Sequence, residues 1–179
     1  NTVFKNLSIH GANANVTLNA GDTITVTDTF VIDNVNAVFN GGDGAVFRTA
    51  SWNNQGTFNA QTGTVELIAN MTCPDETFYN LTISAKDSLG TDLICQKNLW
   101  ISTNDTLLAK GYTIYVGGHF VNYGTFEHGN NKVVFNGSGA QYFYPGTSPF
   151  YDIEINKSSG VVVDTLLGVD IDGDFHIIN

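Results

Sequence analysis

Three carboxylates recur at alternate positions near the end of the sequence, at Asp170, Asp172 and Asp174. Alternate side chains of a strand share one face, so this spacing gathers carboxylate oxygens, which are the ligands that Ca²⁺ prefers. The Glu of a helix-loop-helix calcium hand would fall beyond Asn179, which excludes that motif. One interpretation is a Ca²⁺ site completed by Asp164 or by a partner molecule. The other is a solvated acidic edge that discourages indiscriminate strand pairing.

The two cysteines, Cys73 and Cys95, lie 22 positions apart. If one coil of a stacked-strand protein takes about that many residues, the two cysteines lie on neighbouring coils about 4.8 Å apart, within reach of a disulfide. We therefore expect a Cys73–Cys95 bridge. The alternative is a pair of buried free thiols. Two cysteines are too few for a disulfide-dense miniprotein, and their spacing excludes a CxxC metal site.

Seven Asn-x-Ser/Thr sequons are candidate glycosylation sites. They begin at Asn6, Asn15, Asn70, Asn80, Asn104, Asn136 and Asn156. The alternative is that Asn is the preferred turn and ladder residue of a repeat, without any glycan.

The sequence predicts no enzyme. The four histidines are scattered without the spacing of metal ligands, and no HExxH, nucleophile elbow or phosphate loop occurs. A β-helix polysaccharide lyase or hydrolase needs converging carboxylates beside a basic residue, and none of the seven basic residues adjoins the acidic run. Such an enzyme is therefore the least favoured function class. We expect no cofactor, apart from the Ca²⁺ considered above.

The charge balance limits the partners that this chain can have. Seven Lys and Arg against 17 Asp and Glu give a net charge of −10, which repels nucleic acid and anionic membranes. Charged residues are only 13% of the chain, so Asn, Thr, Ser and Gly must supply the polar surface, as in extracellular β-proteins. No apolar run approaches the roughly 18 residues of a membrane span. The first residue is not Met and no leader precedes the first strand pattern, so we expect a processed or excised segment from outside the cell.

One six-residue pattern occurs three times and predicts the elements that position these residues. It appears as Phe4–Ile9, Phe78–Ile83 and Phe150–Ile155, at intervals of 74 and 72 positions. Within each copy apolar residues alternate with polar ones, which is typical of a half-buried strand. Self-similarity at a nearly fixed spacing indicates stacked copies of one unit. The sequence predicts one domain, 1–179, with copies at about 1–76 and 77–149 and a partial copy at 150–179.

Shorter echoes divide the long unit. Ile24-x-Val26-x-x-x-Phe30 is matched by Ile114-x-Val116-x-x-x-Phe120 and Val169-x-Ile171-x-x-x-Phe175, which indicates coils of about 18 to 24 residues. Asn40-Gly41 and Asn136-Gly137 predict turns in which both residues accept positive φ. No window shows helical periodicity. We predict an all-β fold, a β-solenoid or β-arch stack, with a two-sheet β-sandwich as the alternative.

These motifs resemble those of secreted β-solenoid or β-arch repeat proteins on the surfaces of bacteria and archaea. The copies in those proteins have segments similar to three segments of this chain, in the order Phe78–Ile83, Gly124-Thr125-Phe126 and Val133–Gln141. The chain resembles the adhesin-like class that includes sheath and cell-surface proteins of methanogenic archaea. That resemblance implies a structural or adhesive role at the cell surface. The segment Thr91–Cys95 departs from the valine-rich strand expected there.

Three functions follow as expectations. The first is an extracellular structural subunit that assembles with itself, end to end, into a sheath, fibre or surface layer. Its contacts would be made by strand residues at the two ends of the stack, namely Phe4, Leu7, Ile9, Phe175 and Ile177, because an uncovered strand offers unpaired backbone groups. The second is an adhesive or glycan-binding module of a larger surface protein. The third is the β-helix lyase or hydrolase.

Overall fold

A computed structural model gives the structure of residues 1–158, 160–163 and 168–178. The described residues form 22 strands and no helix, as the alternating pattern predicts. The strands are β1 Thr2–Ile9, β2 Asn15–Thr17, β3 Thr23–Ile32, β4 Val38–Asn40, β5 Val46–Thr49, β6 Asn53–Asn54, β7 Thr57–Asn59, β8 Thr64–Leu67, β9 Thr77–Phe78, β10 Asn80–Ile83, β11 Lys86–Ser88, β12 Leu93–Cys95, β13 Leu99–Ile101, β14 Thr106–Leu108, β15 Ile114–Val116, β16 Phe120–Asn122, β17 Thr125–Glu127, β18 Lys132–Phe135, β19 Gln141–Tyr144, β20 Asp152–Asn156, β21 Val161–Val163 and β22 Phe175–Ile178.

Parallel pairing between successive coils builds a β-solenoid. The long sheet runs β1-β3-β5-β8-β10-β13-β16-β19-β21, one strand per coil, with β6 paired to β3. A six-stranded sheet runs β9-β12-β15-β18-β20-β22, and two three-stranded sheets run β2-β4-β7 and β11-β14-β17. Every strand pair in the described chain is parallel. The alternative of a two-sheet sandwich, which is built from antiparallel strands, is therefore wrong.

Coil length varies along the stack. Val65 pairs with Leu81 across a short coil, whereas Ile24 pairs with Phe47 across a clearly longer one. The observed coil lengths thus lie close to the range predicted from the sequence, but the coils in the middle of the stack are shorter than expected. Because the turns absorb the difference, each strand keeps its inward positions in register with the strands above and below.

Apolar side chains fill the interior of the stack from coil to coil. Phe30, Phe39 and Phe47 are fully buried and pack edge-on or tilted, with ring centroids 4.7 to 5.2 Å apart. Higher in the stack, Phe120 packs edge to face against Phe143 at 5.7 Å. Aromatic pairs of this geometry add about 0.5–1.5 kcal/mol each to the gain from burial.

The last four residues of each six-residue copy form a half-buried strand, as predicted, whereas Phe78 belongs to β9 and Phe150 makes an isolated bridge. The second apolar residues of these strands, Ile9, Ile83 and Ile155, face the core. The copies do not lie on one wall, however. β1 and β10 are the first and fifth strands of the long sheet, whereas β20 lies in the six-stranded sheet, half a coil out of phase. The shorter repeat diverges in the same way. The strand pairs followed coil by coil from Ile24 lead to Phe120, and not to Ile114, which is its counterpart in the sequence pattern.

Glycine in the repeated Gly-Thr-Phe segments is required by close approach between coils. A Cβ at Gly124 would collide with the carbonyl oxygens of Ser102 and Asp105 in the coil below. In the first copy, a Cβ at Gly56 would collide in the same way with the carbonyl oxygens of Ala37 and Asn34. In each case an Asn two residues earlier accepts a hydrogen bond from the glycine N–H, at 3.0 Å for Asn122 and 2.8 Å for Asn54.

The turn chemistry expected at Asn40-Gly41 and Asn136-Gly137 is wrong in one respect. None of these four residues has positive φ, and positive φ occurs instead at Gly42. Gly41 and Gly137 are needed because a side chain would strike backbone of the adjacent coil at Ala60 and Gly117.

No helix in the described ranges is long and apolar enough to cross a membrane.

Candidate functional sites

The two cysteines are free thiols inside the core. The predicted Cys73–Cys95 bridge assumed a longer coil than the structure has at this point. Cys95 pairs in register with Phe78, and the backbone N–H of Cys73 donates to Ser88, so the two cysteines belong to different columns. Burial raises the pKa of both thiols well above the usual range, and the charge of Cys73 adds to the rise at Cys95. Neither thiol is therefore a reactive nucleophile.

The acidic run does not form the strand face that its spacing predicts. In this described segment only Ile171 makes a β-bridge, to Phe150, and the three aspartates lie in bends or irregular backbone on the exposed surface. Asp172 lies 3.3 Å from Nε2 of His128, and Asp174 lies 3.7 Å from Nε2 of His176. Asp164, proposed as a further ligand, falls outside the described residues. Within those residues no three His, Cys, Asp or Glu side chains gather closely enough to hold a metal, so the Ca²⁺ site stays a prediction without structural support.

The sequons are mostly accessible. Six of the seven asparagines are exposed, namely Asn6, Asn15, Asn70, Asn104, Asn136 and Asn156. Asn80 is half-buried, and its Oδ1 accepts a hydrogen bond from the Asn98 N–H at 3.3 Å. Asn6, Asn15 and Asn70 accept hydrogen bonds from the neighbouring coil through Oδ1 in the same way. Glycan attachment and a structural Asn ladder therefore both stay predictions.

The upper end of the stack presents apolar side chains. Phe175 and Ile177 pair in register with buried Ile153 and Ile155, so their side chains point along the core column. Even so, Phe175 is 51% exposed and Ile177 is 64% exposed. Beside them opens an apolar cavity of about 210 Å³, which Phe143 and Phe175 help to line. Within the described chain, the outer edge of β22 pairs with no strand.

The lower end of the described stack is formed by β1. β1 pairs with β3 on one side only, among the described strands. Ile9 is buried and Leu7 half-buried, whereas Phe4 is 37% exposed. Both ends of the stack therefore offer strand edges whose inward side chains are partly uncovered, and all five assembly residues expected from the sequence lie there.

An aromatic groove on the outer face of the long sheet escaped the sequence interpretation. It is lined by Trp100, Val121, Tyr123, Tyr142, Tyr144 and Val162, has Phe143 at its base, and encloses about 370 Å³. Trp100 is 40%, Tyr123 49% and Tyr142 54% exposed. The signal was present in the sequence, because β13 and β16 carry apolar residues at both inward and outward positions. That pattern is also typical of a strand buried on both faces, so it does not by itself predict an exposed site.

A buried carboxyl was also missed. Asp87 in β11 is fully buried; its Oδ1 accepts a hydrogen bond from the Met71 N–H at 2.9 Å, and its Oδ2 has no partner among the described residues. Burial raises the pKa of Asp87 from 3.8 to about 7; the Met71 hydrogen bond opposes the rise and the charge of Asp105 adds to it. The charge of Asp87 in turn contributes to the raised pKa of the buried Cys73 thiol, so the two groups are electrostatically coupled inside the core.

Comparisons with protein-family models, with curated proteins and with solved structures find no match to this chain. The β-solenoid fold thus stands on the structure alone. The relation to sheath and cell-surface proteins, expected from the motifs, belongs with the proposals that follow.

Proposed function

We propose that this protein is a non-catalytic structural subunit outside the cell, which assembles end to end with copies of itself into a sheath, fibre or surface layer. The observation that carries the proposal is the register of β22. It places Phe175 and Ile177 over the core column, at the height where a further coil would bury them.

Strand direction supports a contact between opposite ends. All strand pairs in the described solenoid are parallel. A second copy stacked on the upper end in the same orientation therefore meets strands that run in the same direction as those of its own first coil. β1 of a second copy can therefore continue the long sheet above β21 by strand addition, and that copy then stacks over β22 as well. A contact between two different surfaces that does not close on itself propagates into a filament.

Composition and surface support the extracellular assignment. A chain with 13% charged residues and six exposed sequons is typical of secreted β-proteins. Partners are then other copies of the chain, and glycans where the protein is adhesive.

A single charge at the upper end tests the assembly. Ile177→Asp puts a carboxylate where the next coil would have to bury it without a partner, which is strongly unfavourable. His176→Asp is the matched control, because His176 is the neighbouring, outward-facing residue of the same strand. Sedimentation velocity and electron microscopy should show polymers for the wild type and the control and monomers for Ile177→Asp. Deletion of residues 175–179 should likewise give monomers with an intact β-sheet circular dichroism spectrum.

Either of two results would contradict end-to-end assembly. One is a wild-type protein that stays monomeric at high concentration. The other is an Ile177→Asp protein that polymerises as readily as the control.

A second candidate function, an adhesive or glycan-binding module, is favoured by the aromatic groove. The third, a polysaccharide lyase or hydrolase, has no such observation in its favour, and lyase activity on uronate polymers would be its test.

A further inference from the structure

The outer face of the long sheet changes character along the stack. One outward column, followed in register from β3 to β10, is polar and consists of Thr25, Arg48, Glu66 and Thr82. Above Thr82 the same column continues as Trp100, Val121 and Tyr144. An outward strand face needs no apolar side chains for folding, so this change marks an interaction surface.

The aromatic side chains line up across three successive coils. The ring of Tyr123 lies between those of Trp100 and Tyr144, with centroids 5.3 and 5.0 Å away. Beside this line, Tyr142 and Val162 form the second wall of the groove. The groove therefore runs along the solenoid axis and suits an extended, linear ligand.

The backbone beneath the groove cannot bind a partner by strand addition. β13, β16 and β19 each pair with a neighbour on both sides, so their ladder hydrogen bonds are already made. A ligand in the groove can therefore contact side chains only, and most of these are flat aromatic rings that carry phenol hydroxyls or an indole N–H.

Charge and size restrict the ligand further. None of the described residues that line the groove is charged, and the chain as a whole carries a net charge of −10, which disfavours an anionic polymer. A stable protein interface takes about 20–30 residues on each side, several times more than the groove supplies. The ligand is therefore neutral, narrow and linear.

Sugar rings have these properties. One face of a pyranose is a patch of C–H groups with partial positive charge, which the negative face of an aromatic ring attracts, and its hydroxyls lie at the rim. Tyr and Trp side chains lose little conformational entropy on binding, so they make efficient contact surfaces for such rings.

We propose that the aromatic groove binds a neutral polysaccharide, with pyranose rings stacked on Trp100, Tyr123 and Tyr142. This inference deepens the second candidate function and is independent of end-to-end assembly.

The test uses affinity electrophoresis of the full chain in gels that contain hydroxyethyl cellulose, galactomannan, glycol chitin or dextran. Polygalacturonate serves as the anionic comparison. At least one neutral polymer should retard the wild type, and polygalacturonate should not. Trp100→Thr and Tyr142→Thr keep strand propensity and should each weaken binding roughly tenfold, the loss of one aromatic stacking contact.

Tyr112→Thr is the matched control, because Tyr112 is similarly exposed at 37% but lies outside the groove. It should bind as the wild type does, and thermal melts should show that all three variants remain folded. The assay is repeated in the Ile177→Asp background, where retained binding shows that the groove acts without assembly. Loss of assembly and loss of glycan binding are thus separate results.

Four results would overturn the assignment. They are retardation by no neutral polymer, retardation by polygalacturonate alone, unchanged binding in both groove variants, and a shift of oligomeric state in Trp100→Thr that is absent in Tyr112→Thr. The last would identify the groove as a contact between copies of the chain.

Discussion

Asp87 shows how one buried residue can make the stability of the whole stack depend on pH. A carboxyl whose pKa is about 7 in the folded protein and about 3.8 in the unfolded chain holds its proton longer in the folded state. Between these two values the folded state binds more protons, so the free energy of unfolding falls as pH rises from about 4 to about 7 and is level above that. The difference in pKa corresponds to roughly 4 kcal/mol.

Replacement of Asp87 by Asn tests this linkage. Asp87→Asn keeps an acceptor for the Met71 N–H and removes the titration, so it should be more stable than the wild type at pH 8 by up to about 4 kcal/mol. At pH 4 the two should differ little. Urea unfolding at both pH values measures the effect, with Asp28→Asn, an exposed carboxyl in β3, as control. Equal pH dependence in Asp87→Asn and wild type would show that Asp87 titrates normally.

Other residue positions show which expectations the sequence could support. Six of the seven sequon asparagines are exposed: Asn6 lies at an outward position within β1, and the other five lie at turns or strand ends. The Cys73–Cys95 bridge failed because it depended on local coil length, which six-residue patterns do not encode. Burial of Asp87 was equally hidden, since Lys86-Asp87-Ser88 has the composition of a surface turn.

At the scale of the element, the close approach of one turn to the turn below it restricts which residue type can occupy the turn. Gly124 has no positive φ, so its requirement for glycine comes from space and not from backbone conformation. Gly124→Ala should therefore push apart the coils that carry β14 and β17, at a cost of about 1–3 kcal/mol, typical of overpacking. Chemical denaturation measures it.

Gly139→Ala is the control for that substitution. A Cβ at Gly139 would meet no atom within 4 Å, and its φ is not positive. The control should be neutral or slightly stabilising, because alanine restricts the unfolded chain. If Gly124→Ala is as stable as Gly139→Ala, the coils are looser than the structure indicates.

Strand positions were predictable from the sequence because alternation follows directly from the pleat. The strict alternation of Thr23–Thr27 lies in β3, and the opening motifs became β1, β10 and β20. The wall that each strand occupies was not predictable, since coils of unequal length accumulate a phase difference. β20 thus resembles β10 in sequence yet lies in another sheet. The groove was missed because Trp100 stands between Leu99 and Ile101, a run that also suits a strand buried on both faces.

At the scale of the whole molecule, net charge opposes the proposed assembly. Copies that each carry −10 repel one another, and the exposed acidic run lies at the upper end, where a second copy would dock. Salt screens such repulsion. Polymerisation followed by light scattering should therefore begin at lower protein concentration as NaCl is raised.

Calcium provides the second arm of that experiment. At matched ionic strength, CaCl₂ and NaCl should give the same melting temperature and nearly the same assembly, because no three His, Cys, Asp or Glu side chains gather closely enough in the described residues to hold a metal. A ligand that binds the folded state raises the melting temperature. A rise seen with CaCl₂ alone, and reversed by chelator, would establish the Ca²⁺ site that the spacing of the acidic run suggests.

The uniform parallel ladder also determines how a filament of this protein would respond to force. Its interstrand hydrogen bonds point along the solenoid axis, so tension along that axis loads one coil interface after another in series. Each coil contacts only its neighbours, and rupture at one interface leaves the others intact. Within one copy the covalent chain also joins neighbouring coils, so in such a filament the junction between copies, held by non-covalent contacts alone, would set the breaking load. Such a fibre would sever at its joints and leave subunits able to rejoin.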